Sequence, residues 1–273
     1  MSDPGGPGGG GGGGAPYALG KYKVVLLPNM EMLDATTAKA LEEFVRNGGW
    51  LWADGRCAFL DVGIFLRNEI PGHGLARVFG CNEADFIAVR ESESFLLKNR
   101  TGSGLESGSG SGLELELKPF RFKQKLAATT GETTVTCNGE PVGMRNHYGK
   151  GCAELLGTYL CLGIHAAMDN PVMKAQLEAM QNVIVDFVRA SGVPVRNDIT
   201  TGFEISHLAN DKLDVYIVTN RNAGGTELRM PLLQPCTTVE CPQGGASFVG
   251  GVVRRDFAPM ESALFVCRKL SRQ

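Results

Sequence analysis

The sequence predicts an α/β protein, in which a mainly parallel sheet flanked by helices is followed by a small antiparallel β domain. Three observations support this prediction. The apolar run "KYKVVLLPN" leads through a helical pattern into a second apolar run, "WLWAD". A strong amphipathic helix pattern follows later, in "DNPVMKAQLEAMQNVIVDFVRASG". Beyond it, short alternating runs separated by turn residues replace all helical patterns.

The first elements form one strand–helix–strand unit. Residues 21–29 are continuously apolar and β-branched, which is typical of a strand buried on both faces. The helical pattern that follows has Asp34 or Thr36 as its N-cap and ends at a Gly-Gly pair. Residues 50–54 then predict the next strand. Because strand, helix and strand follow one another within residues 21–54, the two strands are expected to be parallel neighbours.

The middle of the chain mixes several short elements. "EIPGHGLARVFG" predicts a short helix after a Pro-Gly turn, and "LELELKPFRFKQ" alternates like an exposed strand. "TTVTCNGEPVGMRNHYGKGCAELLGTYL" predicts strand, turn and strand, with Gly149-Lys150-Gly151 as a tight connection. We interpret the lysine between two glycines as a hairpin-type turn, because the P-loop spacing is missing.

The composition changes along the chain predict the domain boundaries. Residues 1–20 are glycine-rich and predict a disordered tail. Residues 21–192 form the α/β domain, with a flexible Gly/Ser insert at 99–114. Residues 193–273 form the β domain. Within the first domain Trp50 and Trp52 fall on the same face of a strand, where we expect core packing, with a subunit interface as the alternative.

Bulk properties indicate which partners to expect. The net charge is -2, with 43% hydrophobic and 21% charged residues. This charge does not favour binding to nucleic acid or to an anionic membrane. The N-terminus has no signal-peptide pattern, and no apolar run is long enough for a membrane span. Eight cysteines occur singly, without a CxxC pair, which favours a reduced, cytoplasmic setting. No metal-ligand spacing occurs, and we expect no metal and no cofactor.

One candidate nucleophile follows the second strand. In "GRCAF", Cys57 lies where a thiol nucleophile sits on a strand-to-helix turn in many α/β enzymes. Phe59, however, stands where a second glycine is needed for close packing. A nucleophile also needs a base within reach, for which His147 and His165 are the candidates. We favour an inert thiol over the alternative hypothesis, an amidotransferase-like cysteine hydrolase that uses Cys57.

A second alternative is a small-ligand site. The carboxylates of Glu31, Asp34, Asp54 and Asp61 cluster after the first two strands, where open α/β sheets bind ligands. Capping and turn roles explain Asp34 and Asp54 without a ligand, and we favour them. His73, between two glycines, and His207, in a polar strand, have no partner at metal-ligand spacing.

The order of these motifs resembles the middle, trimerisation domain of family 42 β-galactosidases, a flavodoxin-like relative of class I glutamine amidotransferases. The first part of the resemblance is a strand ending in proline, a helix closing in "FV..GG" and the strand at 50–54. The later part is "P…RN.FGKG…Y.GT", which the following residues match: Pro141, Arg145, Asn146, Gly149, Lys150, Gly151, Gly157 and Thr158. "DVYIVTNRN" and "APMESALFV" are similar to the family's C-terminal β domain.

The resemblance implies a function in assembly rather than catalysis. The family's catalytic (β/α)8 barrel, with its two glutamates, has no counterpart in this sequence, so no catalytic residue is transferred. The sheet is also expected to lack its first strands, because the glycine-rich segment stands in their place. We therefore expect an oligomerisation or accessory region of a β-galactosidase-type glycoside hydrolase, a homotrimer, and a glycoside hydrolase barrel as a possible partner. The unpaired apolar strand predicts marginal stability or self-association of the chain.

Overall fold

The computed structural model describes residues 19–90, 92–97, 115–169, 175–196 and 198–270. The chain divides into two compact units, the first ending at Pro194 and the second beginning at Val195. The predicted Gly/Ser insert lies outside the described residues, as does the predicted tail up to residue 18. The end of that tail enters a single 3-10 turn, Leu19–Lys21.

The first unit contains the helices and most of the strands. Its strands are β1 (Val24–Leu27), β2 (Trp50–Asp54), β3 (Cys81–Ala88), β4 (Phe95–Leu97), β5 (Leu115–Leu117), β6 (Phe122–Ala128), β7 (Glu132–Cys137), β8 (Glu140–Tyr148) and β9 (Gly151–Leu156). Its helices are α1 (Ala35–Arg46), α2 (Leu75–Phe79), α3 (Leu160–Asp169) and α4 (Leu177–Ala190). Asp34 caps α1 by accepting the backbone N–H of Thr37 at 2.7 Å, as its place before the helical pattern predicts.

The main sheet has the strand order β1-β2-β9-β8-β7-β4-β5. The β1–β2 and β2–β9 pairs are parallel and the remaining pairs are antiparallel. The predicted α/β class is confirmed, although the sheet is more mixed than the expected mainly parallel one. The reason is the turn chemistry: Asn138-Gly139 and Gly149-Lys150 close two hairpins in succession, and a hairpin joins antiparallel strands.

Helices cover both faces of this sheet. On one face the apolar side chains of α1 and α2 pack with Leu51 and Ala53 of β2. On the other face α3 and α4 pack with Trp50 and Trp52. The alternation along β2 therefore separates two cores, and both tryptophans pack in the core, as predicted. Trp52 is fully buried, and the Trp50 ring lies 5.3 Å from that of Phe187.

Two elements differ from the sequence expectation. "LELELKPFRFKQ" forms two strands in different sheets, because Pro119 cannot donate to a ladder and Arg121 adopts a positive φ of 63°. β6 pairs instead with β3 in a two-stranded sheet. The helix α3 was not predicted at all, because its run "LCLGIHAAM" is almost wholly apolar, and periodicity cannot separate a buried helix from a buried strand.

The second unit is entirely antiparallel in the residues described, as predicted. Its strands are β10 (Phe203–Ala209), β11 (Leu213–Asn220), β12 (Thr226–Pro231), β13 (Cys236–Glu240), β14 (Ser247–Val249), β15 (Val252–Phe257) and β16 (Ser262–Lys269). They form a four-stranded sheet, β10-β11-β16-β13, and a three-stranded sheet, β12-β15-β14. Apolar residues from both sheets share one core that contains Tyr216, Phe257 and Phe265.

Candidate functional site

The carboxyl ends of β1 and β2 meet at one edge of the sheet, which is the place of the alternative small-ligand site. Asp54, the last residue of β2, is fully buried there. Its two carboxylate oxygens accept the backbone N–H groups of Asn29 at 2.5 Å and of Cys161 at 2.7 Å. Burial raises the pKa of Asp54 despite these hydrogen bonds. The carboxylate therefore ties β1 and α3 to β2, in keeping with the structural role that we favoured.

The other strand-end carboxylates also have partners within the chain. Asp34 is the cap of α1 described above. Asp61 accepts the backbone N–H groups of Gly63 at 2.8 Å and Phe65 at 3.0 Å. Glu31 accepts the hydroxyl of Tyr159 at 3.3 Å. Each of the four carboxylates thus accepts at least one hydrogen bond from within the chain.

Cys57 lies on the turn directly after β2 and is fully buried in the core beneath α1. Burial raises the pKa of its thiol to about 12, and the neighbouring Asp54 carboxylate acts in the same direction. Gly55 is required in this turn because an added Cβ would lie 2.4 Å from the Tyr159 ring. Gly55 and Ala58 adopt the left-handed conformation in this turn, with φ 59° and 53°, whereas the cysteine does not. The thiol is neither exposed nor ionised near neutral pH.

The structure does not bring the two candidate bases to Cys57. His147 is exposed on β8 and pairs in register with Cys152, which pairs with Trp50 at the amino end of β2. Cys57 follows the other end of β2. The strand alone, from Trp50 to Asp54, is roughly 13 Å long at about 3.3 Å per residue. His165 is exposed on α3, which packs against the opposite face of the sheet from Cys57. Neither imidazole is placed to activate the thiol.

The space above the turn is filled by a group of side chains that we call the Arg56 cluster: Arg56, Phe59, Glu83, Phe86, Phe122, Gln124 and Tyr159. The Arg56 guanidinium donates to both oxygens of Glu83, at 2.8 and 2.6 Å. It also lies between the rings of Phe59 and Phe86, at 4.4 and 4.5 Å from their centroids. Gln124 donates a further hydrogen bond to Glu83 at 3.0 Å.

Aromatic rings complete the Arg56 cluster. Phe86 on β3 stacks on Phe122 of β6 with centroids 4.9 Å apart, and both rings meet Tyr159 edge-on. The pair of strands β3 and β6 therefore covers the end of the parallel strands. The place where an open α/β sheet would bind a ligand is occupied by the chain's own charged and aromatic side chains.

We expect Cys57 to resist alkylation in the folded protein. With a pKa of about 12, only about one thiol in ten thousand is ionised at pH 8, and the side chain has no access to reagent. Treatment with iodoacetamide at pH 8, followed by peptide mass spectrometry, should leave Cys57 unmodified while the partly exposed Cys241 is labelled. In denaturant both should be labelled. Fast, pH-independent labelling of Cys57 near neutrality would instead indicate an activated thiol.

The remaining candidate residues also have structural partners. The Nε2 atom of His73 lies 2.8 Å from the Leu33 carbonyl oxygen, and that of His207 lies 3.0 Å from the carboxylate of buried Asp214. Among the described residues, no group of three or more His, Cys, Asp or Glu side chains is arranged to hold a metal ion. No helix within the same ranges is long and apolar enough to cross a membrane.

Comparison with known proteins gives a family and a fold. A family model described as "Beta-galactosidase trimerisation domain" matches residues 14–188, which is more than half of the chain. No curated protein matches the sequence. Solved structures match over almost the whole chain, which includes the second unit.

Three of these structures are β-galactosidases. That of Bacillus circulans sp. alkalophilus is 18% identical, with a TM-score of 0.67, and the match covers 91% of this chain and 33% of that one. The Rahnella sp. R3 structure is 13% identical, with a TM-score of 0.64 and coverages of 90% and 32%. The Halorubrum lacusprofundi structure is 15% identical, with a TM-score of 0.60 and coverages of 90% and 31%. The fold is shared, and this chain spans about a third of the length of these proteins.

Proposed function

Because this chain belongs to the β-galactosidase trimerisation domain family, we propose that it is an assembly module that holds copies of itself together as a homotrimer. The observation that carries this proposal is the match over residues 14–188, which lie within the first unit. The resemblance read from the sequence is thereby confirmed. The filled strand-end site agrees with a role that requires no bound ligand.

Exposed apolar residues at the edge of the main sheet support association between copies of the chain. β1 is the end strand of the main sheet, so one edge of it has no neighbouring strand among the described residues. Leu26 on this strand is 40% exposed, and the nearby Tyr22 is 63% exposed. An exposed apolar strand at a sheet edge favours pairing with another chain.

We further propose that the module serves a β-galactosidase-type glycoside hydrolase. The solved structures that share its fold are about three times as long, which leaves room for a catalytic barrel outside this chain. Hydrolysis of terminal β-galactosides would then depend on two carboxylates of that barrel. In this proposal residues 21–192 assemble the trimer, residues 193–273 form an accessory β domain, and the protein acts in the cytoplasm.

The first test is the molar mass of the purified chain in solution. Size-exclusion chromatography with light scattering, over a tenfold dilution, should give three times the 29.2 kDa of one chain at every concentration. A closed ring of three copies is expected to resist dilution, because each copy is held by two neighbours. A compact monomer at all concentrations would refute the assembly function.

A further inference from the structure

Among the described residues of the first unit, the most exposed apolar segment is the loop of residues 62–66, which we call the apolar loop. Four of its five residues are large hydrophobics with high exposed fractions: Val62 72%, Ile64 70%, Phe65 72% and Leu66 62%. The fifth is glycine, so the segment "VGIFL" carries no charge. Other large exposed hydrophobics of this unit, such as Leu96 and Leu162, stand singly on their elements.

The apolar loop is held in a defined conformation. The backbone of Asp61 exchanges hydrogen bonds with the loop, donating to the Phe65 carbonyl and accepting from the Ile64 N–H, each at 3.0 Å. The Asp61 carboxylate accepts two more N–H groups of the loop, as described above. Ile64 adopts a φ of 66°, which is costly for a β-branched residue and needs such support. The four side chains are therefore presented outward by an ordered turn.

The loop joins a wider apolar patch. The backbone of Leu60 forms isolated β-bridges with Leu66 on one side and with Met32 on the other. Met32 is itself 39% exposed. At these exposed fractions the four loop side chains present on the order of 400 Å² of apolar surface, a size that marks contact sites on soluble proteins. A stable interface buries about 800 Å² on each partner, so the patch can supply its apolar centre.

Resting on the proposed trimeric assembly, we propose that the apolar loop is the contact at which neighbouring copies meet, with the same loop from each copy packing around the symmetry axis. Two observations favour a second copy as the occupant. The loop lies inside the region matched by the trimerisation family model. Around a threefold axis the equivalent residues of the three copies face one another, and an uncharged segment does so without bringing like charges together.

The test removes apolar surface from the loop without disturbing its backbone. The variant Ile64→Asn/Phe65→Ser keeps a residue that tolerates positive φ at 64. The control, Val249→Ser/Met260→Ser, removes two side chains of similar exposure, 77% and 59%, from the second unit. At a concentration where the wild-type chain has the trimer mass, the loop variant should have the monomer mass and the control the trimer mass. Tryptophan fluorescence should be unchanged in both variants.

A cross-link tests whether the loops meet one another. Phe65→Cys should form an intermolecular disulfide when oxidised by copper phenanthroline, seen as a dimer band on a non-reducing gel, whereas Val249→Cys should not. If the wild type is trimeric but the loop variant also keeps the trimer mass, the loop is not the interface and the assembly function stands. A trimer that dissociates on loop mutation but gives no Phe65→Cys cross-link would overturn the axial arrangement. If the wild type is monomeric, the assembly function itself fails.

Discussion

Replacing Gly151 with alanine is expected to destabilise the first unit by roughly 3 kcal/mol, the upper end of what overpacking costs. A Cβ at this position would lie 2.2 Å from the Gly49 carbonyl oxygen and 2.3 Å from that of Val45. Both are backbone atoms, the second in the last turn of α1, so neither can move aside as a side-chain tip would. The chain must shift the start of β9 away from the helix.

The loss of stability in Gly151→Ala should be measured by urea unfolding, with tryptophan fluorescence as the signal. Both tryptophans of the chain, Trp50 and Trp52, lie on β2 in the first unit, so the signal reports that unit alone. The thermal midpoint should fall by roughly 6–12 °C for a unit of this size. The matched control is Gly20→Ala, where an added Cβ meets nothing within 4 Å. Equal stability of both variants would contradict the close approach.

Replacing Glu83 with glutamine is expected to cost about 3 kcal/mol, the lower end of what breaking a buried ion pair costs. The side chains of Arg56 and Glu83 are only 15% and 12% exposed. A glutamine offers one acceptor oxygen where the carboxylate offers two. The Arg56 guanidinium would remain between the Phe59 and Phe86 rings with its charge uncompensated.

Two comparisons isolate the effect of burial at Glu83. Glu116→Gln removes the same charge from the exposed pair with Lys118, whose side chains are 61% and 42% exposed, and should change stability by less than about 1 kcal/mol. Arg56→Met/Glu83→Leu removes both charges and should recover most of the loss, because no buried charge is then left alone. If Glu83→Gln is as mild as Glu116→Gln, the Arg56 cluster does not stabilise the strand ends.

The side-chain contacts at the strand ends could not be predicted from the sequence. Arg56 lies next to Cys57 in "GRCAF", but no residue near it in the sequence indicates its partner, because Glu83 lies 27 residues further along the chain. The sequence did show that Phe59 opposes a nucleophile turn at Cys57. The full burial of that thiol depends on α1 and α2, which close over it only in the folded chain.

The sequence by itself determined the features that arise from neighbouring residues: the strand–helix–strand unit at β1, α1 and β2, a helix cap at Asp34 or Thr36, the tight turn at Gly149-Lys150, and the family. Their signals are periodicity and turn chemistry, which act over a few residues. The tertiary structure alone decided which groups meet across the chain and which apolar residues remain outside. The run "VGIFL" is apolar and uncharged, yet its four large side chains remain exposed on a turn that the Asp61 carboxylate holds by hydrogen bonds. Burial depends on long-range packing, which no local pattern records.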